Sequence, residues 1–431
     1  MDWSGRVLRL RVEGPAHGGE FVARHEGRVV FCRGAITGEL VDAVVVDDPG
    51  RAFCRASVTA VLEPSPDRVD PVCTAAAAGA GCCDWSHIEA GAARIFTGRI
   101  IAEQAERIGR IRLSTPAVPV EWPADDDAIR GWRTVARWVT GPDGRPAVRR
   151  HQSGELITAP CVQPDPRLTG AVTAAGVGPG REVPGVLGDD HTVHVAHRPA
   201  VARGRPPRGR SRRAAATRTR ARHAHAGAWE VVVGDGVVQR TVGERTWLLP
   251  VDAFWQPHRS GATHYSTVVR EAVVGSRGLP SEPVVWDLYG GAGVFAAAVL
   301  DGLAAPRVTV VESSSASMGA APTGLGGGSG VRTVTSRVES FLDGADGEPA
   351  PDVVILDPPR GGAGIAVMER LAAVTASRII HVGCDPASLA RDVGVLVAAG
   401  WALQRLEGVA AFPGTHHVEG IAVLDSPHRR R

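Results

Sequence analysis

Val284-Val285-Trp286-Asp287-Leu288-Tyr289-Gly290-Gly291-Ala292-Gly293 is the stretch whose reading decides the fold. An apolar run closes on an acid, glycines follow, and Val294-Phe295-Ala296-Ala297-Ala298-Val299 continues as an apolar helix. Strand, glycine loop and helix in that order let the backbone approach a ligand closely at a helix N-terminus. On its own such a loop is equally a plain tight turn. Glu312 shifts the reading, because it ends the next apolar run, 25 residues after Asp287. An acid there can accept hydrogen bonds from both ribose hydroxyls of an adenosine ligand. The G-x-G-x-x-G spacing of dinucleotide folds is missing.

Working outward, helix and strand alternate from about residue 265. A helix is expected at 265–276, strands at 284–288, 307–311, 353–356, 378–382 and 420–424, and helices at 294–303, 364–374 and 387–398. This alternation predicts an α/β doubly wound sheet with its ligand at the strands' carboxyl ends. The N-terminal part differs. Residues 5–62 read as short, partly alternating strands with glycine turns such as Gly38-Glu39, which suggests a small β-barrel. Pro64-Ser65-Pro66 marks a boundary. Residues 70–115 hold a cysteine cluster and a helical stretch from Ile95 to Ile111, and 120–195 read as mixed strands and turns. The expected division is 1–62, a mixed α+β central region 63–264, and 265–431.

Net charge is only +2, but it is unevenly spread. Ten arginines and no acid fall between Arg198 and Arg222, within a low-complexity segment at 196–226, leaving 38 arginines against 46 acids elsewhere. The chain has no lysine. Guanidinium groups bind phosphate in bidentate fashion, so the basic run reads either as a nucleic-acid contact or as a solvated insert. No apolar run is long enough to span a membrane, and Met1-Asp2-Trp3-Ser4-Gly5-Arg6 is not a secretory leader. Seven cysteines, an odd number in a long chain, fit a reducing compartment. A cytoplasmic monomer is expected.

Three further motifs carry chemistry. Asp357-Pro358-Pro359-Arg360 follows the strand Val353-Val354-Ile355-Leu356, and its prolines fix a rigid turn that holds the acid towards a ligand. Cys384 follows the strand at 378–382, in His381-Val382-Gly383-Cys384-Asp385-Pro386. It could be a small buried apolar residue. It could be a metal ligand, but no second cysteine lies within ten residues. It could be a nucleophile, with the helix start at Asp385-Pro386 lowering the thiol's pKa. Glu419 opens the last apolar strand, in His416-His417-Val418-Glu419, where an acid can be a general base or a solvated strand end.

These motifs in this order resemble the RNA uracil-C5 methyltransferase family, over nearly the whole chain. The resemblance implies a TRAM domain, an OB-like RNA-binding barrel, at 1–62, and a Rossmann-like methyltransferase sheet at 265–431. It also implies S-adenosylmethionine as cofactor and tRNA or rRNA as partner. Phe254-Trp255-Gln256 is similar to the family's aromatic-Gln motif, with Gln256 at the cofactor. Tyr289, Gly290 and Gly293 resemble the cofactor loop, Glu312 the ribose acid, and Asp357 the acid of the Asp-Pro-Pro motif. Gly383-Cys384-Asp385-Pro386 resembles the nucleophile motif, and His417-Val418-Glu419 the motif of the base. The implied chemistry is attack of Cys384 on C6 of uracil, methylation at C5, and removal of the C5 proton by Glu419.

The chain departs from the family pattern in four places. Val294 stands where many members have Asn. The segment Ser313 to Ala320, leading into the glycines at 324–328, is expected to be loose where relatives have a helix. The arginine-rich insert has no counterpart. Some members hold a [4Fe–4S] cluster on four cysteines; Cys73, Cys83 and Cys161 resemble three of those ligands, Ala80 replaces the other, and Cys82 is extra. Four thiolates are the normal requirement, and adjacent cysteines rarely share one cluster, so a degenerate thiol site competes with an intact cluster. Two other functions stay open: an amino-group RNA methyltransferase that uses Asp357-Pro358-Pro359 and needs no cysteine, and an RNA-binding protein with decayed catalysis.

Overall fold

Alternating burial along the first strand shapes the N-terminal unit. In the computed structural model, which describes residues 2–122, 129–151, 153–200, 227–328 and 330–427, β1 (Val7–Pro15) buries Leu8, Leu10 and Val12 and exposes the residues between them. With β2 (Phe21–His25), β3 (Arg28–Arg33), β4 (Leu40–Asp47) and β5 (Phe53–Glu63) it forms a closed barrel in the order β1-β2-β3-β5-β4. Closure leaves no free sheet edge. Glu39, a turn residue by sequence, is wholly buried. Its carboxylate accepts from Ile36 N, Ser65 N and the Arg68 guanidinium, which ties the Pro64-Ser65-Pro66 boundary to the barrel. These charge-assisted bonds offset the cost of burying the carboxylate.

The short α1 (Thr74–Ala77) precedes α2 (Ala90–Arg107). α2 starts earlier than the apolar spacing suggests because Glu89 caps it, accepting from Ala92 N at 2.8 Å. One end of the helix sends Phe96 and Ile100 into the barrel core, and the other places Ala105 in the core of the C-terminal unit. β6 (Val120–Glu121) follows. The central sheet has the order β12-β11-β10-β7-β8-β9. It is built from β7 (Val135–Thr140), β8 (Pro146–Arg149), β9 (Leu156–Ile157), β10 (Arg181–Leu187), β11 (Val193–Pro199) and β12 (Glu230–Val233), with α3 (Pro166–Ala174) packed on it. Arg198, the first arginine of the basic run, sits in β11 and pairs with Glu182. The rest of that run falls at 201–226, outside the described residues. The hairpin β13 (Val237–Val242) and β14 (Arg245–Pro250) leads into the C-terminal unit.

There α4 (Gly261–Val274), β15 (Val284–Leu288), α5 (Val294–Gly302), β16 (Arg307–Glu312), α6 (Ser315–Leu325), β17 (Val331–Thr335), α7 (Val338–Asp343) and β18 (Val353–Leu356) come first. α8 (Ile365–Val374), β19 (Arg378–Gly383), α9 (Pro386–Ala398), β20 (Ala402–Val409) and β21 (Glu419–Asp425) complete it. The sheet order is β17-β16-β15-β18-β19-β21-β20-β6, parallel from β17 through β19, with β21 antiparallel to both neighbours. The segment after Glu312, expected to be loose, is the helix α6: Ser314 Oγ accepts from Ser317 N and caps it despite Pro322 inside. Among the described residues no helix is long and apolar enough to cross a membrane.

Candidate active site and a cluster of four cysteines

Strand order reverses at β15, which has β16 on one side and β18 on the other. Carboxyl ends at such a point part and leave a crevice. Here the crevice is a cleft of about 1100 Å³, lined among others by Gln256, Tyr289, Gly290, Glu312, Asp357, Cys384 and Glu419. Parallel strands explain why Tyr289, Glu312, Asp357 and Cys384 lie on one edge of the sheet. Glu419 joins them for the opposite reason. β21 is antiparallel, so its first residue lies at the edge where β19 ends, and the pairing Gly383↔Gly420 places Cys384 and Glu419 next to each other at the mouth.

The cofactor-loop residues divide. Tyr289 has φ 59, a left-handed conformation rare for a non-glycine residue and typical of functional sites. Gly291 N donates to Glu312 Oε2 at 3.2 Å, and Ser314 N donates to Glu312 Oε1 at 2.6 Å, so the acid is held between two loops while keeping free lone pairs. Gly293 does not line the cleft. It precedes α5 with φ 80, and a Cβ there would sit 2.8 Å from Leu325. Phe254, at the cleft wall, is 66% exposed.

Carboxylates crowd this edge of the sheet. Burial, with the Glu312 charge, pushes Asp357 up to about 7. Burial also raises Glu419 well above the usual carboxylate range; the charge of Asp357 adds to this and Arg360 opposes it. Asp287 is fully buried, with one oxygen bonded to Ala296 N and the other without a partner among the described residues, and burial raises it to about 7. The Cys384 thiol corrects an expectation. α9 does begin at Pro386, capped by Asp385, which accepts from Ser388 N at 2.8 Å. Yet burial, then the charges of Glu419 and Asp357, push the thiol up to about 12, with Arg360 pulling the other way. The helix N-terminus is taken by Asp385, and at the sulfur burial, with like charges adding to it, outweighs it.

Sequence reading passed over several cleft residues. Tyr265 on α4 is buried, its hydroxyl has no partner among the described residues, and its apolar spacing reads as core. Arg133 and Phe412 also line the cleft, from loops without a motif.

The cysteines give a second correction. Cys73, Cys82, Cys83 and Cys161 converge, their sulfurs all within 4.8 Å of one another. The neighbours Cys82 and Cys83 do both reach the cluster, because a tight turn with Asp84 N bonded to Cys82 O brings them together. Cys82 Sγ lies 4.0 Å from Cys73 Sγ, and Cys83 Sγ 3.8 Å from Cys161 Sγ. A [4Fe–4S] cubane interposes four irons and four sulfides between its thiolates, and this spacing is too tight for it. No step below passes through such a cluster.

An uncharacterised RNA methyltransferase of Corynebacterium glutamicum is 37% identical over 427 residues, covering 97% of both chains. The chain belongs to a family of TRAM-domain RNA methyltransferases. The TRAM domain model matches residues 4–52 of this RNA methyltransferase, within the β1–β5 barrel. An uncharacterised RNA methyltransferase of Streptomyces coelicolor is 32% identical over 453 residues, covering 98% of this chain and 93% of its own. The crystal structure of the Pyrococcus abyssi tRNA (uracil-54, C5)-methyltransferase in complex with S-adenosyl-L-homocysteine has the same fold. Its TM-score is 0.67 at 17% identity, covering 97% of this chain and 99% of that one.

Proposed function

We propose that this RNA methyltransferase forms 5-methyluridine, with S-adenosylmethionine as methyl donor, Cys384 as nucleophile and Glu419 as base. The observation that carries the reading is the β19–β21 register, which sets a thiol beside a carboxyl at the mouth of one cleft. An amino-group methyltransferase would have no use for that pair. The cleft also suits the donor. Gly290 and Gly291 leave backbone open, and Glu312 is available to ribose hydroxyls. When bound, the cofactor supplies a methyl group on a positively charged sulfonium.

Uracil C5 is a poor nucleophile, and the residues at the mouth address that. Cys384 and Glu419 first release their protons to solvent, and the Cys384 thiolate then bonds to C6 as the C5=C6 π electrons move towards C5 and O4, making C5 nucleophilic. After C5 has gained the methyl group, Glu419 takes the C5 proton. The freed electrons restore C5=C6 as the S–C6 bond breaks, and the thiolate returns. The raised thiol and carboxyl fit a resting site that holds its protons until a cation enters. The base must leave its stack to reach the cleft.

The test is RNA containing 5-fluorouridine. Fluorine cannot leave as a proton does, so the adduct should persist as a covalent complex stable to denaturing electrophoresis and absent in Cys384→Ala. Cys384→Ala is expected to lose methylation by at least about 10³-fold while retaining cofactor binding by calorimetry. Full activity in that variant would return the site to the amino-group reading.

A further inference from the structure

We propose that Cys73, Cys82, Cys83 and Cys161 hold a single tetrahedral zinc ion, which braces the loop that leads to Glu419. A Zn–S bond of about 2.3 Å implies sulfurs about 3.8 Å apart at the corners of a tetrahedron. Two of the pairs measure 4.0 and 3.8 Å, and all four sulfurs fall within 4.8 Å. Cys82, which has no place in the cubane pattern, supplies the thiolate that Ala80 lacks. Four thiolates with no open position make a closed, structural site.

The surroundings call for such a cross-link. Cys73 precedes the four-residue helix α1, and Cys161 follows the two-residue strand β9. The apolar cluster around them is small, with Cys73, Ala75, Ala80, Cys83 and Ile157 as its buried members. Segments this short gain little from packing, and a metal then supplies folding free energy directly. Zinc with four thiolates carries surplus negative charge, and the Arg133 guanidinium lies near enough to Cys161, Cys82 and Cys83 to feel theirs.

The brace runs from Cys83 to its neighbours in sequence. Trp85 N donates to Gly414 O at 3.0 Å, and His416 N donates to Asp84 Oδ1 at 3.2 Å. The His416 ring also bonds the Asp84 carboxylate and packs against His417. Trp85 Nε1 donates to Gly19 O of the barrel at 3.1 Å. Gly19, with φ 86, passes so close that a Cβ would fall 2.7 Å from His416 Nδ1. The metal-bearing turn, the barrel loop and the segment before Glu419 therefore meet at one point. The site stands independently of the uracil reading and can fail without it.

The full chain, purified anaerobically and without chelators, should contain zinc equimolar with protein, no acid-labile sulfide and no iron–sulfur absorbance. Cys82→Ser should lose the zinc, and Cys32→Ala, a buried barrel cysteine outside the cluster, should keep it. Stripping zinc with a chelator should speed hydrogen exchange at the amides of Trp85 and His416, and leave those of α9 unchanged. Iron and sulfide in cubane proportion would overturn the proposal. So would a metal-free protein with four free thiols, or Cys82→Ser retaining zinc. Unchanged exchange after stripping would overturn the brace.

Discussion

The Cys384 sulfur shows how one residue's chemistry depends on its neighbours' protons. Burial raises its pKa most, and Glu419 and Asp357 add to it while Arg360 subtracts. Burial, with the Glu312 charge, pushes Asp357 up to about 7, and its carboxyl contributes repulsion only when ionised. Replacing it by Asn should therefore matter on one side of that value. At about pH 6 the wild-type carboxyl is already protonated, and Asp357→Asn should alkylate at Cys384 with iodoacetamide at the wild-type rate. At about pH 9 the wild type carries the charge and the variant does not; the variant's lower thiol pKa should speed alkylation by up to about tenfold, one pKa unit. Peptide mass spectrometry isolates Cys384 from the other cysteines. A rate ratio that stays flat across pH 7 would mean Asp357 does not act on the sulfur. Arg360→Gln should slow the reaction, because Arg360 is the cation that favours thiolate.

Helix contacts set how firmly the site is mounted, and two glycines separate packing from propensity. A Cβ at Gly394 in α9 would lie 2.6 Å from Gly109 O, backbone that follows α2 and cannot swing aside. Gly394→Ala should destabilise the protein by about 1–3 kcal/mol despite the better helix former. Gly319 in α6 is exposed, and a Cβ there meets nothing within 4 Å. Gly319→Ala should stabilise by up to about 1 kcal/mol. Chemical denaturation midpoints check both, and equal effects would deny that α2 and α9 are in close contact. The same elements show what could be read without coordinates. β15 and β18 were legible to the residue, because strands buried on both faces are near-continuous apolar runs, interrupted in β15 by Asp287 alone. β17 and β20 were not: Arg332 and Thr333, or Gln404 and Arg405, interrupt the pattern on strands with a wetter face. α6 was misread because serine, glycine and Pro322 argue against a helix that Ser314 caps and Trp247 packs against at Gly324. The cleft acids announced themselves as strand-end motifs. The sharing of one site by Cys82 and Cys83 did not, since it depends on a turn that spacing does not reveal.

Over the whole molecule, the question is where charge is left over for RNA. The barrel has many arginines, but among the described residues Arg9 pairs with Asp42, Arg11 with Glu63, Arg24 with Glu13 and Arg55 with Glu20. Charges neutralised in pairs release few counterions when a phosphate approaches. The run after Arg198 is different, with nine arginines up to Arg222 and no acid among them. Arg198 itself belongs to β11 and pairs with Glu182, so a deletion of 203–222 removes the basic run and spares the strand. Every phosphate that the protein no longer neutralises should flatten the plot of log affinity against log salt by about 0.7 for single-stranded RNA. Deleting 203–222 should therefore weaken RNA binding most at low salt and reduce the slope by several such steps. The deletion removes none of the described residues that line the cleft, and kcat at saturating RNA should hold while KM rises. Filter binding across a salt series decides it. An unchanged slope would make the run a solvated insert and return phosphate recognition to the barrel and cleft.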